Sequence, residues 1–258
     1  MRFLIRYLIK IPILKRLIPS FFKKFIFFLK KYKKEILVNN IYFDLDLRHL
    51  IDRRFYFHNT YEDELFIPLY KIINEHKADF FFDVGSCWGI YSLRLSNVNE
   101  KIKILAFDPI KKNINRLKFS VTKNDIKNIE VFHTAIGNTN GTVELGATED
   151  YSPNYEINEV NAVINEKSKI NLLDNLFHFK DKFLVFKIDT EGSEYDVLKG
   201  SKKLLTNNKC FLQIEIKKVN FLKTVDLLND FKFNQVSINK INKTDYFFSN
   251  FDTNKISV

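Results

Sequence analysis

The chain has 258 residues, 45% of them hydrophobic and 15% aromatic, with 41 Lys and Arg against 31 Asp and Glu, two Cys and seven Gly. These values exclude a disulfide-built scaffold, a collagen-like repeat and a wholly disordered polypeptide, and they allow one large α/β domain or two small ones around a sizeable core. Eleven bases and one acid fall between Met1 and Glu35, so the rest balances 30 bases with 30 acids; a neutral body argues against a nucleic-acid substrate, which needs basic residues spread over the face that holds it.

Within the basic arm, Pro12, Pro19 and recurrent Lys and Arg leave no apolar stretch near the ~20 residues that cross a bilayer or the ~7–15 of an export signal. From Ser20, a plausible N-cap, Phe21, Phe22, Phe25, Ile26, Phe28, Leu29 and Tyr32 recur at helical spacing opposite Lys23, Lys24, Lys30, Lys31 and Lys34. The spacing predicts an amphipathic basic helix. Two uses of it are open: residues 1–34 contact an anionic membrane surface, or the Phe face packs on the domain and the lysines stay solvated. Cys87 and Cys210 lie far apart without metal-type spacing, and the five histidines form no local ligand pattern, so no metal site is expected from them. Together with the missing export signal this points to the cytoplasm, with the inner face of the membrane as the place for any peripheral contact.

Residues 1–40 are read as the arm, 41–77 as a cap with one helix over 62–75, and 78–258 as an α/β core. Asp79–Val84 is a short apolar strand that runs into Gly85-Ser86-Cys87-Trp88-Gly89 and a helix over 90–96. Ile102–Phe107 is a second strand ending at Asp108-Pro109, followed by a helix over 111–121. Ile129–Phe132 is a third, followed by His133-Thr134-Ala135 and a hairpin turning at Gly141. Residues 146–168 show neither period and read as an inserted loop lining an acceptor pocket. Phe183–Ile188 is a buried strand closing on Asp189-Thr190-Glu191-Gly192, then a helix over 193–205, a strand over 210–216, a helix over 219–230 and strands near 234–238 and 246–249. Alternation of strand and helix predicts a mostly parallel sheet covered by crossover helices.

Ligands of such sheets sit outside the carboxyl ends of the strands where strand order reverses. The polar residues there are Asp83 with Gly85, Ser86 and Gly89, then Asp108, Thr134 and Ala135, then Asp189 with Glu191, and Glu215. The Gly-x-x-x-Gly turn admits close backbone approach at a helix N-terminus, and Asp108, roughly 20 residues on, suits two ribose hydroxyls. The G-x-G-x-x-G triplet of dinucleotide sites is missing, and Asp83 stands two residues before the first Gly. A carboxylate there suits a cationic, amino-acid-bearing nucleoside, which points to S-adenosylmethionine.

Phe82-Asp83-Val84-Gly85-x-x-x-Gly89, Ala106-Phe107-Asp108-Pro109, Thr134-Ala135-Ile136-Gly137, Leu173-Asp174-x-Leu176 and above all Lys187-Ile188-Asp189-Thr190-Glu191-Gly192-Ser193-Glu194 with Val197-Leu198-Lys199-Gly200 resemble the FkbM family of S-adenosylmethionine-dependent methyltransferases. The first motif is common to many methyltransferases; the Lys187–Glu194 run and its downstream partner are specific to this family. The chain departs from it with Ser86-Cys87-Trp88 in place of Ala-Asn-Ile/Val and with Asp108 in place of Glu. The resemblance implies a Rossmann-like class I methyltransferase fold, with a seven-stranded sheet, helices on both faces and an antiparallel last strand. It also implies O-methylation of a saccharide, glycolipid or related polar metabolite.

Asp83, Gly85, Ser86, Gly89, Asp108, Thr134 and Ala135 are then the cofactor residues. Asp189 is placed to orient the acceptor or act as base, with Glu191 and Glu215 beside it. Glu191, Glu194 and Glu215 could share a divalent cation such as Mg²⁺ with Asp189 through oxygen ligands, for which the sequence gives no further support. Lys187 is either a substrate residue or a structural partner of the acids, and Glu62, in a Tyr61-Glu62 pair that family members often carry, is either a site residue or a helix cap. His133 is a second candidate base, and Arg53-Arg54 with Tyr56 and His58 a candidate site for an acidic acceptor. The alternatives are an RNA methyltransferase, suggested by the basic arm but without an N-P-P-Y-like motif, and a non-catalytic membrane-associated module that keeps the fold.

Overall fold

The computed structural model describes residues 21–22, 24–26, 28, 31–147, 155–157, 162–238 and 244–253. The described residues fall into two compact units, one ending at Asp63 and one beginning at Glu64.

In the first unit, the described residues between Phe21 and Phe28 are helical. Phe22 and Ile26 are buried, Phe22 lying 5.8 Å from the Tyr56 ring and 5.1 Å from that of Phe57. Residues 1–20 of the expected arm lie outside the described residues. The helix does not extend to Lys34: strand β1 (Lys33–Val38) pairs antiparallel with β2 (Ile41–Asp46). Asn39 and Asn40 turn this hairpin with φ of 48° and 64°, the left-handed pair that a tight two-residue connection needs and Asn tolerates. The alternating burial of Ile36, Val38, Ile41, Phe43 and Leu45, with Asn-Asn between, is a hairpin signal that the reading by helical spacing overlooked. Helix α1 (Leu50–His58) follows. Arg53 spends its Nη1 on the carbonyls of Leu47 at 2.8 Å and Arg48 at 2.6 Å, which ties down the turn before α1.

The second unit takes in α2 (Asp63–Glu75) from Glu64 onward and contains a sheet of seven strands. Strands β3 (Phe80–Val84), β4 (Lys103–Asp108), β5 (Ile129–His133), β10 (Phe183–Ile188) and β11 (Lys209–Glu215) are parallel; β13 (Asp245–Ser249) runs antiparallel to β11 and pairs with β12 (Asn234–Val236). The order across the sheet is β12-β13-β11-β10-β3-β4-β5, so the chain reverses direction of travel between β3 and β10. The central strands are apolar without alternation because helices cover both faces. The crossovers are α3 (Ile90–Val98), α4 (Lys111–Lys123), and a pair of short helices, α6 (Glu194–Lys199) and α7 (Lys202–Thr206), where one helix over 193–205 was expected; α8 (Phe221–Asp230) follows β11. Gly200 separates α6 from α7. A Cβ there would stand 1.9 Å from the Gly137 carbonyl oxygen, so Gly200 lets the backbones of two sequence motifs touch.

Most of the described residues in the expected loop over 146–168 are strand. Strands β6 (Ala135–Ile136), β7 (Gly141–Ala147), β8 (Glu156–Ile157) and β9 (Ile164–Asn171) build a second sheet. β7 pairs with β9 from Gly141↔Ile170 to Ala147↔Ile164. The alternation of β9, with Asn165, Lys167 and Lys169 at its exposed positions, was masked by its polar composition. The short helix α5 (Leu173–Leu176) leads back to the main sheet.

Candidate active site

The site is built on the reversal between β3 and β10. Asp83 is in register with Lys187, and Lys187 with Gln213, so three polar side chains share one face of the sheet across β3, β10 and β11. Lys187 is only 6% exposed. Its Nζ lies 3.0 Å from Asp189 Oδ2 and 5.1 Å from the centre of the Tyr91 ring on α3. Ser92, also on α3, donates to Asp83 Oδ2 at 2.6 Å, and Gln213 Nε2 is 3.4 Å from the Tyr91 hydroxyl. Burial raises the Asp83 carboxyl, and the Lys187 charge opposes it. Lys187 is therefore the countercharge for Asp83 and Asp189. Tyr91 and Gln213, which close this polar row, were not singled out by motif reasoning, because each is unremarkable in its own segment and only the strand register brings them together.

Beyond Val84 the chain turns sharply. The N–H groups of Gly85 and Ser86 both donate to the Phe107 carbonyl, at 3.0 and 2.9 Å, and Gly89 N–H to the Ser86 carbonyl at 2.8 Å. Gly85, Cys87 and Gly89 all have positive φ, of 79°, 51° and 83°. A Cβ on Gly85 would lie 1.8 Å from the Asp189 carbonyl oxygen, which excludes any other residue. Cys87 carries its strain with a return: its N–H donates to Asp108 Oδ2 at 2.9 Å. The other Asp108 oxygen accepts from Ile110 N–H at 2.9 Å and Asn113 Nδ2 at 3.1 Å. Burial nevertheless pushes the Asp108 carboxyl up to about 7. Trp88 is buried with the Arg116 guanidinium 5.1 Å over its ring, so it belongs to the core.

Asp83 Oδ1 and Ser86 Oγ are buried without a hydrogen-bond partner. A buried acceptor without a donor is costly, and the pair fits a ligand that brings a cationic amino group to the turn. Asp108 Oδ1 already accepts two bonds, but Oδ2 accepts only one and has a site left for a ribose hydroxyl. The residues present therefore suit S-adenosylmethionine. Thr134 and Ala135 hold the neighbouring wall: the Thr134 hydroxyl faces the Ala135 and Lys169 carbonyls at 2.9 and 3.1 Å and accepts from Asn171 Nδ2 at 2.8 Å. That hydroxyl is committed to joining the two sheets. His133 Nε2 is 2.9 Å from the Pro109 carbonyl and braces the same edge.

Asp189 follows β10, its N–H bonded to the Val84 carbonyl at 3.0 Å. Its carboxylate meets Lys187 on one side and shares a hydrogen bond with Glu215 on the other. Burial works against its charge, but Lys187 wins and the group stays ionised; burial and the adjacent Asp189 charge raise Glu215 to about 8, so Glu215 carries the shared proton. Glu191, with φ of 56°, is raised to about 7 by burial and by Asp189. Glu194 Oε1 accepts from Thr190 N–H at 3.0 Å, Thr190 Oγ1 at 3.1 Å and Gly192 N–H at 2.9 Å, so this acid of the motif is the clasp of the loop. Lys217 Nζ holds the Glu191 carbonyl at 2.7 Å and Glu156 of β8 at 2.6 Å. Among the described residues no group of three or more His, Cys, Asp or Glu is arranged to hold a metal ion. Glu62 belongs to the first unit, with φ of 50°. A cleft of about 930 Å³ lies at the opposite ends of β3 and β4, lined by Asp79, Lys103 and Lys182 among others, and none of the strand-end acids lines it.

The reversal between β3 and β10, the antiparallel β13 and the glycine turn facing an acid on the next strand define a Rossmann-like class I methyltransferase fold. The family model described as the methyltransferase FkbM domain matches residues 83–235, more than half of the chain. The protein belongs to the FkbM family of S-adenosylmethionine-dependent methyltransferases.

Among solved structures, the chain is similar to the methyltransferase FkbM from Methylobacillus flagellatus, at 16% identity and a TM-score of 0.49 over 76% of this chain and 52% of that one. It is also similar to the N-terminal domain of human METTL16 in complex with SAH, at 16% identity and a TM-score of 0.49 over 83% and 77% of the two chains. The chain thus spans about half the length of the Methylobacillus protein. No curated protein matches it.

Proposed function

We propose that this protein transfers a methyl group from S-adenosylmethionine to a hydroxyl of a saccharide or a related polar metabolite. The observation that carries this reading is the set of three acids past β10 and β11, Asp189, Glu191 and Glu215, gathered beside the glycine turn that the Asp189 backbone touches. The cofactor supplies an electrophilic methyl on a sulfonium. Asp83, Gly85, Ser86, Gly89 and Asp108 hold it, with Thr134 and Ala135 as backbone wall. Asp189, kept ionised by Lys187, accepts a hydrogen bond from the acceptor hydroxyl and fixes its direction. Glu191, whose proton affinity near 7 suits a base at neutral pH, would take up the proton that the acceptor hydroxyl gives up on methylation. Glu215 stays protonated and holds Asp189 in place. The basic segment of residues 1–34 supports peripheral contact with an anionic membrane, and no helix among the described residues is long and apolar enough to cross one.

The test is calorimetric titration with S-adenosylhomocysteine, followed by methyl transfer to a panel of glycans. Wild type and Asp189→Asn should bind S-adenosylhomocysteine alike while only wild type transfers, and Asp108→Ala should not bind. No binding to folded wild-type protein overturns the reading in favour of a non-catalytic module, and transfer to RNA but to no hydroxylated glycan overturns the acceptor class.

A further inference from the structure

The turn that leaves β11 carries an apolar pair with no place in the fold. From Glu215 into the first turn of α8 the chain reads Ile216-Lys217-Lys218-Val219-Asn220-Phe221-Leu222-Lys223, with three bases and no acid. Phe221 goes inward, its ring 4.7 Å from that of Tyr246. Val219 and Leu222 go outward, 87% and 76% exposed, although α8 buries Thr224 and Leu228 on its other side. Lys218 and Lys223, both exposed, flank the pair. Single exposed aliphatics are ordinary; two on one turn, each beside a lysine, form the apolar-and-cationic pattern of a lipid-interface contact.

The place of this turn gives it meaning. Asn220 Nδ2 is 3.3 Å from the Gly192 carbonyl, and Lys217 holds the Glu191 carbonyl, so the turn is fastened to the acid loop. Lys217 also binds Glu156, whose neighbour Ile157 is 37% exposed. Independently, the first unit repeats the same chemistry: Phe21, Phe25 and Phe28, at helical spacing, are 74%, 42% and 83% exposed in a segment rich in lysine.

We propose that the Val219–Leu222 turn docks on an anionic lipid surface, Val219 and Leu222 entering the headgroup region and Lys218 and Lys223 meeting lipid phosphates. The acceptor then comes from that surface as the head of a lipid; this second part rests on the reading of Asp189 and Glu191 as the acceptor side. The test is flotation of the full chain with phosphatidylglycerol-containing vesicles against pure phosphatidylcholine vesicles, using wild type and a Val219→Ser, Leu222→Ser double variant. Both positions are exposed, so thermal stability and S-adenosylhomocysteine affinity should be unchanged, while partitioning onto the anionic vesicles should fall at least about ten-fold. Wild type that ignores phosphatidylglycerol, or a double variant that floats as well as wild type, overturns the proposal. So does a wild-type dimer in solution that the double variant dissociates, since the patch would then belong to a second copy. The titration is read separately: failure to bind S-adenosylhomocysteine with vesicle binding intact defeats the enzymatic reading and leaves the surface.

Discussion

Gly85 and Asp189 meet backbone to backbone: the Asp189 carbonyl oxygen occupies the space a Cβ on Gly85 would need, 1.8 Å away. The cofactor turn and the acid loop, about a hundred residues apart in sequence, are thus one object. Gly85→Ala would meet both that carbonyl and the cost of a φ of 79°. It should lower unfolding free energy by about 2–4 kcal/mol and abolish S-adenosylhomocysteine binding. Chemical denaturation and titration check both; a stable variant that still binds would show that the turn can open without loss.

Lys187 should be worth more to the fold than to the acceptor. Lys187→Met removes the countercharge of Asp83 and Asp189, and a buried ion pair broken on one side costs about 3–5 kcal/mol. Adding Asp189→Asn should recover part of this, since one of the two stranded carboxylates is gone. Denaturation midpoints of the single and double variants measure the coupling.

Cofactor affinity should depend on pH through Asp108. With its carboxyl near 7, the unliganded site is protonated below that value and loses acceptor capacity for ribose hydroxyls. Affinity for S-adenosylhomocysteine should rise from pH 6 to pH 8, approaching ten-fold per unit on the acid side. Binding near pH 7 should also release protons, visible as calorimetric heats that vary with buffer ionisation enthalpy. Asp108→Asn should bind weakly and show neither dependence.

Stability should fall as pH rises. The carboxyls of Glu191 and Glu215, near 7 and 8, lie above the ~4.3 of an unfolded Glu. Raised acids hold protons that the unfolded chain has already lost, so their contribution is complete below ~pH 4.3 and disappears as pH climbs through 7 and 8. The melting temperature should therefore drop between pH 5 and pH 9, by about 2–4 °C for each kcal/mol lost. Glu215→Gln should flatten the upper part of the curve. Asp189, held below the usual carboxylate range by Lys187, acts at the acid end and does not compete in this window.

Legibility in the sequence followed the range of the interactions. Strands β3, β4 and β10 were readable because fully buried strands are apolar without alternation, and their ends were readable because they stop at Gly85, Asp108 and Asp189. The hairpin through Asn39-Asn40 was hidden behind the lysine-rich arm, whose helical spacing ran on in sequence beyond the point where it stops in space. Strand β9 was hidden by charge, because a strand exposed on one face keeps only half of its apolar signal.

By itself, the sequence determined the sheet's parallel core, the glycine turn, Asp108 on the next strand and the Lys187–Glu194 run, since each depends on residues within one strand and its following turn. Only the tertiary structure decided what those residues do to one another. It set Lys187 between Asp83 and Asp189, gave the shared proton to Glu215, turned Glu194 into a clasp and fastened Lys217 to Glu191. Charge state and hydrogen-bond partner are properties of neighbours in space, set by strand register and burial, and no spacing along one chain carries them.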